Sequence, residues 1–157
     1  MTALLRRFAY GSLLLALAAC ATPTTSDSSE VARVVAANAA FDAALSRRDM
    51  TAIDLAWAHD GTVTAIHPPS KTPVIGWDAV RKSWEGAIAN FPELSVVLNE
   101  PQVRVSGSAA FVVGVETIRG RRPDGGQVEF LALTTNVYEK QGDRWLLVHH
   151  QASRTPP

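Results

Sequence analysis

The chain has 157 residues, no net formal charge and one cysteine. That length suits a single domain with a single core, and one cysteine excludes an internal disulfide framework and a thiolate metal cluster. No basic stripe interleaved with aromatics runs through it, so nucleic acid is not an expected partner. Arg119, Arg121 and Arg122 cluster in a Gly/Pro-rich segment and read as a solvated turn.

Residues 1–19 contain no acidic side chain. Arg6 and Arg7 precede an apolar run over residues 8–17, shorter than the roughly 20 apolar residues a spanning helix needs. The segment therefore reads as a secretory signal. It ends in Leu17, Ala18, Ala19 and Cys20, which resembles the lipobox of bacterial lipoproteins. The resemblance implies cleavage before Cys20, acylation of its thiol and of the new amino terminus, and anchoring to a membrane. More than one acyl chain makes such an anchor stable, at about 0.8 kcal/mol per buried CH₂. The expected address is the cell envelope, on the periplasmic face of an outer membrane if the cell has one, because Ala21 stands where Asp signals inner-membrane retention in some lipoproteins. Without Arg6 and Arg7, 13 basic side chains face 15 acidic ones.

Residues 20–29 are rich in Thr, Ser and Pro and read as the lipidated cysteine with a flexible tether. The folded domain is expected over residues 30–153, with residues 154–157 as a tail. Val31, Val34, Val35, Asn38, Phe41 and Leu45 repeat every three or four positions, which predicts a helix over residues 30–47, with a cap at residues 27–30. Thr51 to Asp54 resembles a capping box and opens a short helix to about Ala58, stopped by Gly61. Residues 63–66 read as a short strand, broken by Pro68 and Pro69. Gly76 precedes a third helix over residues 77–91, ended by Pro92. The remainder is strand: residues 94–105, with Pro101 marking an edge, bend or bulge, then 109–119, 127–139 and 144–153. Helices grouped ahead of a mainly antiparallel sheet predict an α+β fold, with about three helices packed on one face of a curved sheet.

This order resembles the NTF2-like, or SnoaL-like, cone. Arg48 and Asp49 before the short helix, Asp60 leading into a strand, Gly76 opening the third helix, and the ending Trp145, Val148, His149, Ser153 carry the resemblance. The ending is similar to the subgroup that includes the association domain of calmodulin-dependent kinase II. There a second histidine follows two residues after the first; here that position holds Gln151. The resemblance implies a pocket between the helices and the concave sheet face, and a convex face that meets a second subunit.

Gly142 and Asp143 suit a two-residue hairpin turn, which would pair Gln141 with Arg144 and Asn136 with His149. Strict alternation then puts Thr134, Asn136, Tyr138, Leu147, His149, Gln151 and Ser153 on one face, and Leu131, Leu133, Val137, Leu146, Val148, His150 and Ala152 on the other. Assigning the polar face to the pocket makes His149, Asn136 and Gln151 ligand candidates, with His67 at the pocket mouth and Trp57 and Trp84 as apolar lining. The alternative for His149 is a core histidine satisfied by Asn136 or a carbonyl. For Trp57 and Trp84 it is core packing, and for His67 an ordinary loop position. Glu116 is either an outward carboxylate or a pocket acid with a raised pKa. His150 falls on the partner-facing or solvent side. The aliphatic face predicts a homodimer through Leu133, Val137, Leu146 and Val148.

No catalytic residue can be assigned. Asp49, Asp54, Asp60 and Asp78 all sit at helix starts or turns. No phosphate loop, zinc spacing or nucleophile elbow is present, and neither a metal nor another cofactor is expected. The sequence therefore predicts a domain that holds a small apolar or amphipathic molecule. The rivals are an isomerase, hydratase or cyclase with His149 or Glu116 as proton carrier, and a structural module with a filled cone.

Overall fold

The computed structural model describes residues 25–156, so Cys20 and the signal segment lie outside the described residues. Three helices precede most of one six-stranded sheet: α1 Thr25–Arg47, α2 Met50–Ala56, β1 Thr64–Ile66, β2 Val74–Ile75, α3 Trp77–Ala89, β3 Glu93–Ser106, β4 Ala109–Arg121, β5 Gln127–Gln141 and β6 Arg144–Arg154. The sheet order is β2-β1-β6-β5-β4-β3. All neighbours are antiparallel except β1 and β6. The expected α+β architecture is therefore present, with the helices covering one face of an open, mixed sheet. Among the described residues no helix is long and apolar enough to cross a membrane.

Helix α1 starts inside the expected tether, at Thr25 rather than Glu30. Pro23 is the last helix-breaking residue before it, and residues 27–30 lie within the helix instead of capping it. Its buried side is Val34, Asn38, Phe41, Asp42, Ala44 and Leu45, the spacing of one helical face. Arg48 leaves the helix at φ 57°, while its guanidinium reaches the carbonyls of Ile88 and Pro92 at the end of α3. Asp49, rather than Thr51, caps α2 by accepting from Ala52 N at 3.0 Å. Helix α3 stops at Ala89, two residues before the expected end. Gly76 opens it at φ 85°, a left-handed conformation that favours glycine. Its N–H meets Val63 O, and Trp77 N–H meets Asp60 O. The two-residue strand β2 is too short to carry a period in the sequence.

Strand β3 holds its irregularity at Pro101: the register with β4 shifts between Asn99 and Gln102, and Glu100 has φ 44°. Proline cannot donate to the ladder, so a bulge is where it fits. The β5–β6 turn pairs Gln141 with Arg144 as expected, but the alternation then fails. Tyr138 pairs with Leu147, and Val137 pairs with His149, leaving Val148 as an extra residue on β6. The physical reason lies on the other edge of β6. There Leu147 bridges to Trp57 and accepts from Ala58 N, whereas His149 pairs with Thr64 of β1. Strand β6 changes its outer partner at Val148, and the extra residue takes up the mismatch. From there on, the faces are the reverse of strict alternation: His150 is 2% exposed and sits opposite Asn136.

Candidate functional site

The core packs the inner sheet face against α1 and α3. Phe41 lies at its centre, edge-on to Trp57 (6.2 Å), Trp84 (5.4 Å) and His150 (6.0 Å between ring centroids). Such edge-to-face contacts add about 0.5–1.5 kcal/mol each beyond their buried area. Beside this cluster a cavity of about 720 Å³ opens between α3 and the strands, within the size range of small-molecule sites. Trp84, Ile88 and Phe91 form its helical wall, and Val96, Ile118 and Phe130 its sheet wall. Three titratable groups interrupt this apolar lining: His67, Glu116 and His150. Arg122, Glu129 and Arg154 also border it. The Arg154 guanidinium lies 4.9 Å from the centroid of the Phe130 ring.

His150 is held from behind. Its Nδ1 lies 2.8 Å from Asn136 Oδ1. Asn136 Nδ2 donates to Asn38 Oδ1 at 2.8 Å, and the Tyr138 hydroxyl donates to the same oxygen at 3.1 Å. Asn38 Nδ2 in turn donates to Asp42 Oδ2 at 3.3 Å. Asn38, Asp42, Asn136 and Tyr138 are all buried. A polar row thus runs from α1 through β5 to β6 and ends on a ring that lines the cavity. Burial, with smaller contributions from His67 and His149, pushes His150 down to about 3, so the ring is neutral. Burial also lowers His67, whose Nε2 lies 2.9 Å from Ser83 Oγ. The two rings are 6.1 Å apart, and Trp84 stands edge-on to His67 at 4.4 Å.

Glu116 takes its place from β4, where the run Val112, Val113, Gly114, Val115 leads into a carboxylate that faces inward. It is 2% exposed, and its Oε1 has no hydrogen-bond partner. Burial first, and then the charge of Asp42, push Glu116 up to about 8. The neighbouring Thr134 hydroxyl, which lies against Glu116 outside good hydrogen-bond geometry, offsets only part of this. Burial raises Asp42 to about 7, against one lowering contact from Leu98 N. At neutral pH Glu116 is a carboxylic acid, able to donate a proton or a hydrogen bond.

Of the residues the sequence singled out, the structure brings His67 and Trp84 to the cavity wall. Asn136 stands one hydrogen bond behind it, on His150. Trp57 is core, bridged to Leu147 and packed against Phe41, not lining. His149 and Gln151 are corrections. His149 is half-buried, with Nδ1 bonded to Thr64 Oγ1 at 2.6 Å, and Gln151 donates to Ser153 Oγ. Neither lines the cavity, because the Val148 bulge turns them away; His150, expected on the partner-facing or solvent side, takes that place. Glu116 faces inward and lines the cavity, not outward to solvent. The sequence reading does not single out Asp42, which the structure buries beside Asn38 on the inner face of α1. Among the described residues no group of three His, Cys, Asp or Glu side chains could hold a metal ion.

Helices on one face of this curved sheet, with a cavity between the layers, define an NTF2-like α+β cone. The chain belongs to the SnoaL-like domain family, whose model matches residues 34–157. It is similar to a candidate dehydratase of the NTF2-like family from Streptomyces avermitilis, at 28% identity and a TM-score of 0.76 over 83% of this chain and 99% of that one. A calcium/calmodulin dependent protein kinase II association-domain candidate from Xanthomonas campestris aligns at 23% identity and 0.68, over 92% and 99%. A ketosteroid isomerase-like protein from Erwinia carotovora atroseptica aligns at 19% and 0.69, over 82% and 98%. These last two speak for the fold alone. No curated protein matches the chain.

Proposed function

We propose that this domain binds a small, mostly apolar molecule in its cone, with an oxygen of that molecule accepting a hydrogen bond from Glu116. The observation that supports this most is the Glu116 carboxyl itself: buried, without a partner at Oε1, and bordering a mainly apolar cavity of about 720 Å³. A buried polar atom left unsatisfied costs about 1–3 kcal/mol, and a ligand oxygen would recover that cost. The binding site is proposed to travel with an acylated Cys20 anchor in a bacterial envelope, supported by the apolar run and the Leu17 to Cys20 motif. It is also proposed to sit in a homodimer. Phe111, Val113, Leu131 and Leu133 are exposed on the convex face, and a contiguous apolar patch of this kind fits a partner sheet.

Proton-transfer catalysis is the second reading, favoured by an acid and two neutral imidazoles around one cavity. Magnitude ranks it below binding. Glu116 near 8 and His150 near 3 lie about five pH units apart. Glu116 therefore keeps its proton at neutral pH, and the His150 ring stays uncharged. His150 is accordingly a better hydrogen-bond acceptor than proton carrier.

Native mass spectrometry of the full-length protein, extracted from its own cells in mild detergent, tests the binding reading. A co-purifying mass that is lost in Ala87→Trp, which fills the cavity from α3, is the expected result. A wild-type protein that carries no such mass, and binds no naphthalene-sized probe, refutes it.

A further inference from the structure

The hydrogen bonds behind the two cavity histidines have a direction, and that direction reaches the cavity. Asn38 Nδ2 faces a carboxyl oxygen of Asp42. Asn38 therefore presents its oxygen to Asn136 Nδ2 and to the Tyr138 hydroxyl, both donors. With its amide nitrogen so engaged, Asn136 turns its own oxygen to His150. An amide oxygen only accepts, so the proton of the neutral ring sits on Nδ1. Nε2 keeps a lone pair and has no protein partner among the described residues. The same logic holds at His67. Ser83 Oγ donates to Val80 O at 2.7 Å, so the hydroxyl hydrogen is already committed. His67 Nε2 must then be the donor in its 2.9 Å contact with Ser83, which leaves Nδ1 as the acceptor. Both imidazoles line the cavity, 6.1 Å apart, and each keeps one ring nitrogen as a hydrogen-bond acceptor. Elsewhere in the lining the Glu116 carboxyl offers a hydrogen.

We infer that the ligand is a neutral molecule carrying both a hydroxyl hydrogen and a carbonyl oxygen on an apolar frame, with the hydroxyl donating to His150 Nε2 and the carbonyl at Glu116. This rests on the binding reading above and adds the ligand's chemical class and its orientation. A hydrocarbon would leave both His150 and Glu116 unsatisfied. A simple ketone would satisfy Glu116 and leave the histidine corner dry and unpaired. Asn38, Asn136 and Asp42 touch no ligand on this account; they are positioning residues that hold the ring in one tautomer.

Two measurements on the full-length protein decide the matter. Side-chain ¹⁵N NMR of the ligand-free protein reads each ring nitrogen directly. His150 protonated at Nδ1 and bare at Nε2, with His67 the reverse, is expected; in Asn136→Leu the excess of the Nδ1 form should fall. A His150 ring protonated at Nε2 in the wild type overturns the inference, whatever the variant does. Calorimetric titration with tetralin, 1-tetralone and 4-hydroxy-1-tetralone then tests the class with three frames of equal shape. The hydroxy-ketone should bind at least tenfold tighter than the ketone, and the advantage should shrink to under threefold in His150→Phe. Equal affinities for all three overturn the inference and leave the binding reading standing. Binding of none of them, together with no co-purifying mass, overturns both.

Discussion

Glu116→Gln should change the slope of stability against pH more than its height. The carboxyl is 2% exposed and is raised from 4.5 to about 8, by burial and then by Asp42. Below pH 4.5 folded and unfolded chains both hold this proton. Between 4.5 and 8 the unfolded chain releases it and the folded chain does not, so stability falls as pH rises and levels off above about 8. A displacement of about 3.5 pH units at 1.36 kcal/mol each sets an upper limit near 5 kcal/mol. Asp42, raised from 3.8 to about 7, pulls in the same direction. Because its charge is one cause of the Glu116 shift, the two losses are not independent. Glutamine has no proton to lose and removes a negative neighbour from Asp42. At pH 5 the variant should be less stable by about 1 kcal/mol, since its amide brings a second N–H without an acceptor. By pH 9 it should be more stable by about 2–4 kcal/mol, with the curves crossing between pH 5 and 6. Urea titrations at pH 5, 7 and 9, compared at constant slope, read this directly. Parallel curves for wild type and variant would show that Glu116 ionises normally in the folded protein, and the pocket-acid assignment would be lost.

The two adjacent histidines should separate cleanly. His150→Ala strands Asn136 Oδ1 in the core and should destabilise by about 2–4 kcal/mol. His149→Ala removes one half-buried contact to Thr64 and should cost about 1 kcal/mol or less; thermal or urea unfolding that reverses this order contradicts the bulge at Val148. Leu133 is 57% exposed, so Leu133→Asp should leave the fold intact while turning a dimer into a monomer by sedimentation; a wild type that is already monomeric at high micromolar concentration sinks the dimer. Cys20→Ser should abolish incorporation of labelled palmitate, and a wild type that never takes up the label refutes the anchor.

The elements were legible where a period or a punctuating residue marks them. Asn38, Phe41 and Leu45 gave the buried face of α1, Gly76 the start of α3, and Gly142 with Asp143 the last hairpin turn, and the structure keeps all three. Pro101 announced the irregularity in β3 because its missing N–H is visible in the sequence. The bulge at Val148 has no such mark. It arises where β6 passes from Leu147, bound to Ala58, to His149, paired with Thr64, and that handover belongs to the tertiary structure. One unmarked residue was enough to exchange His149 for His150 in the site. Glu116 showed as an anomaly, a lone acid in an apolar strand, but its direction depended on register with β5. Asp42 was hidden for a different reason: on a helix, an acid next to Phe41 reads as the border of the polar face.

The outer side of β3 bears on how the molecule avoids polymerising. A sheet that ends in a long bare strand is a template for endless strand-by-strand growth. Here Ser46 of α1 accepts from the N–H of Val96, and Asp42 takes the N–H of Leu98. Beyond that stretch the kink at Glu100 and Pro101 twists the strand away from a straight template. At the opposite border β2 offers only two residues. Both borders are thus poor seeds for cross-strand addition, which matters for a chain proposed to be concentrated on a membrane surface, where neighbours meet continually. The proposed self-association would use the broad outer face instead, where a two-fold contact closes after two copies rather than running on into a fibre.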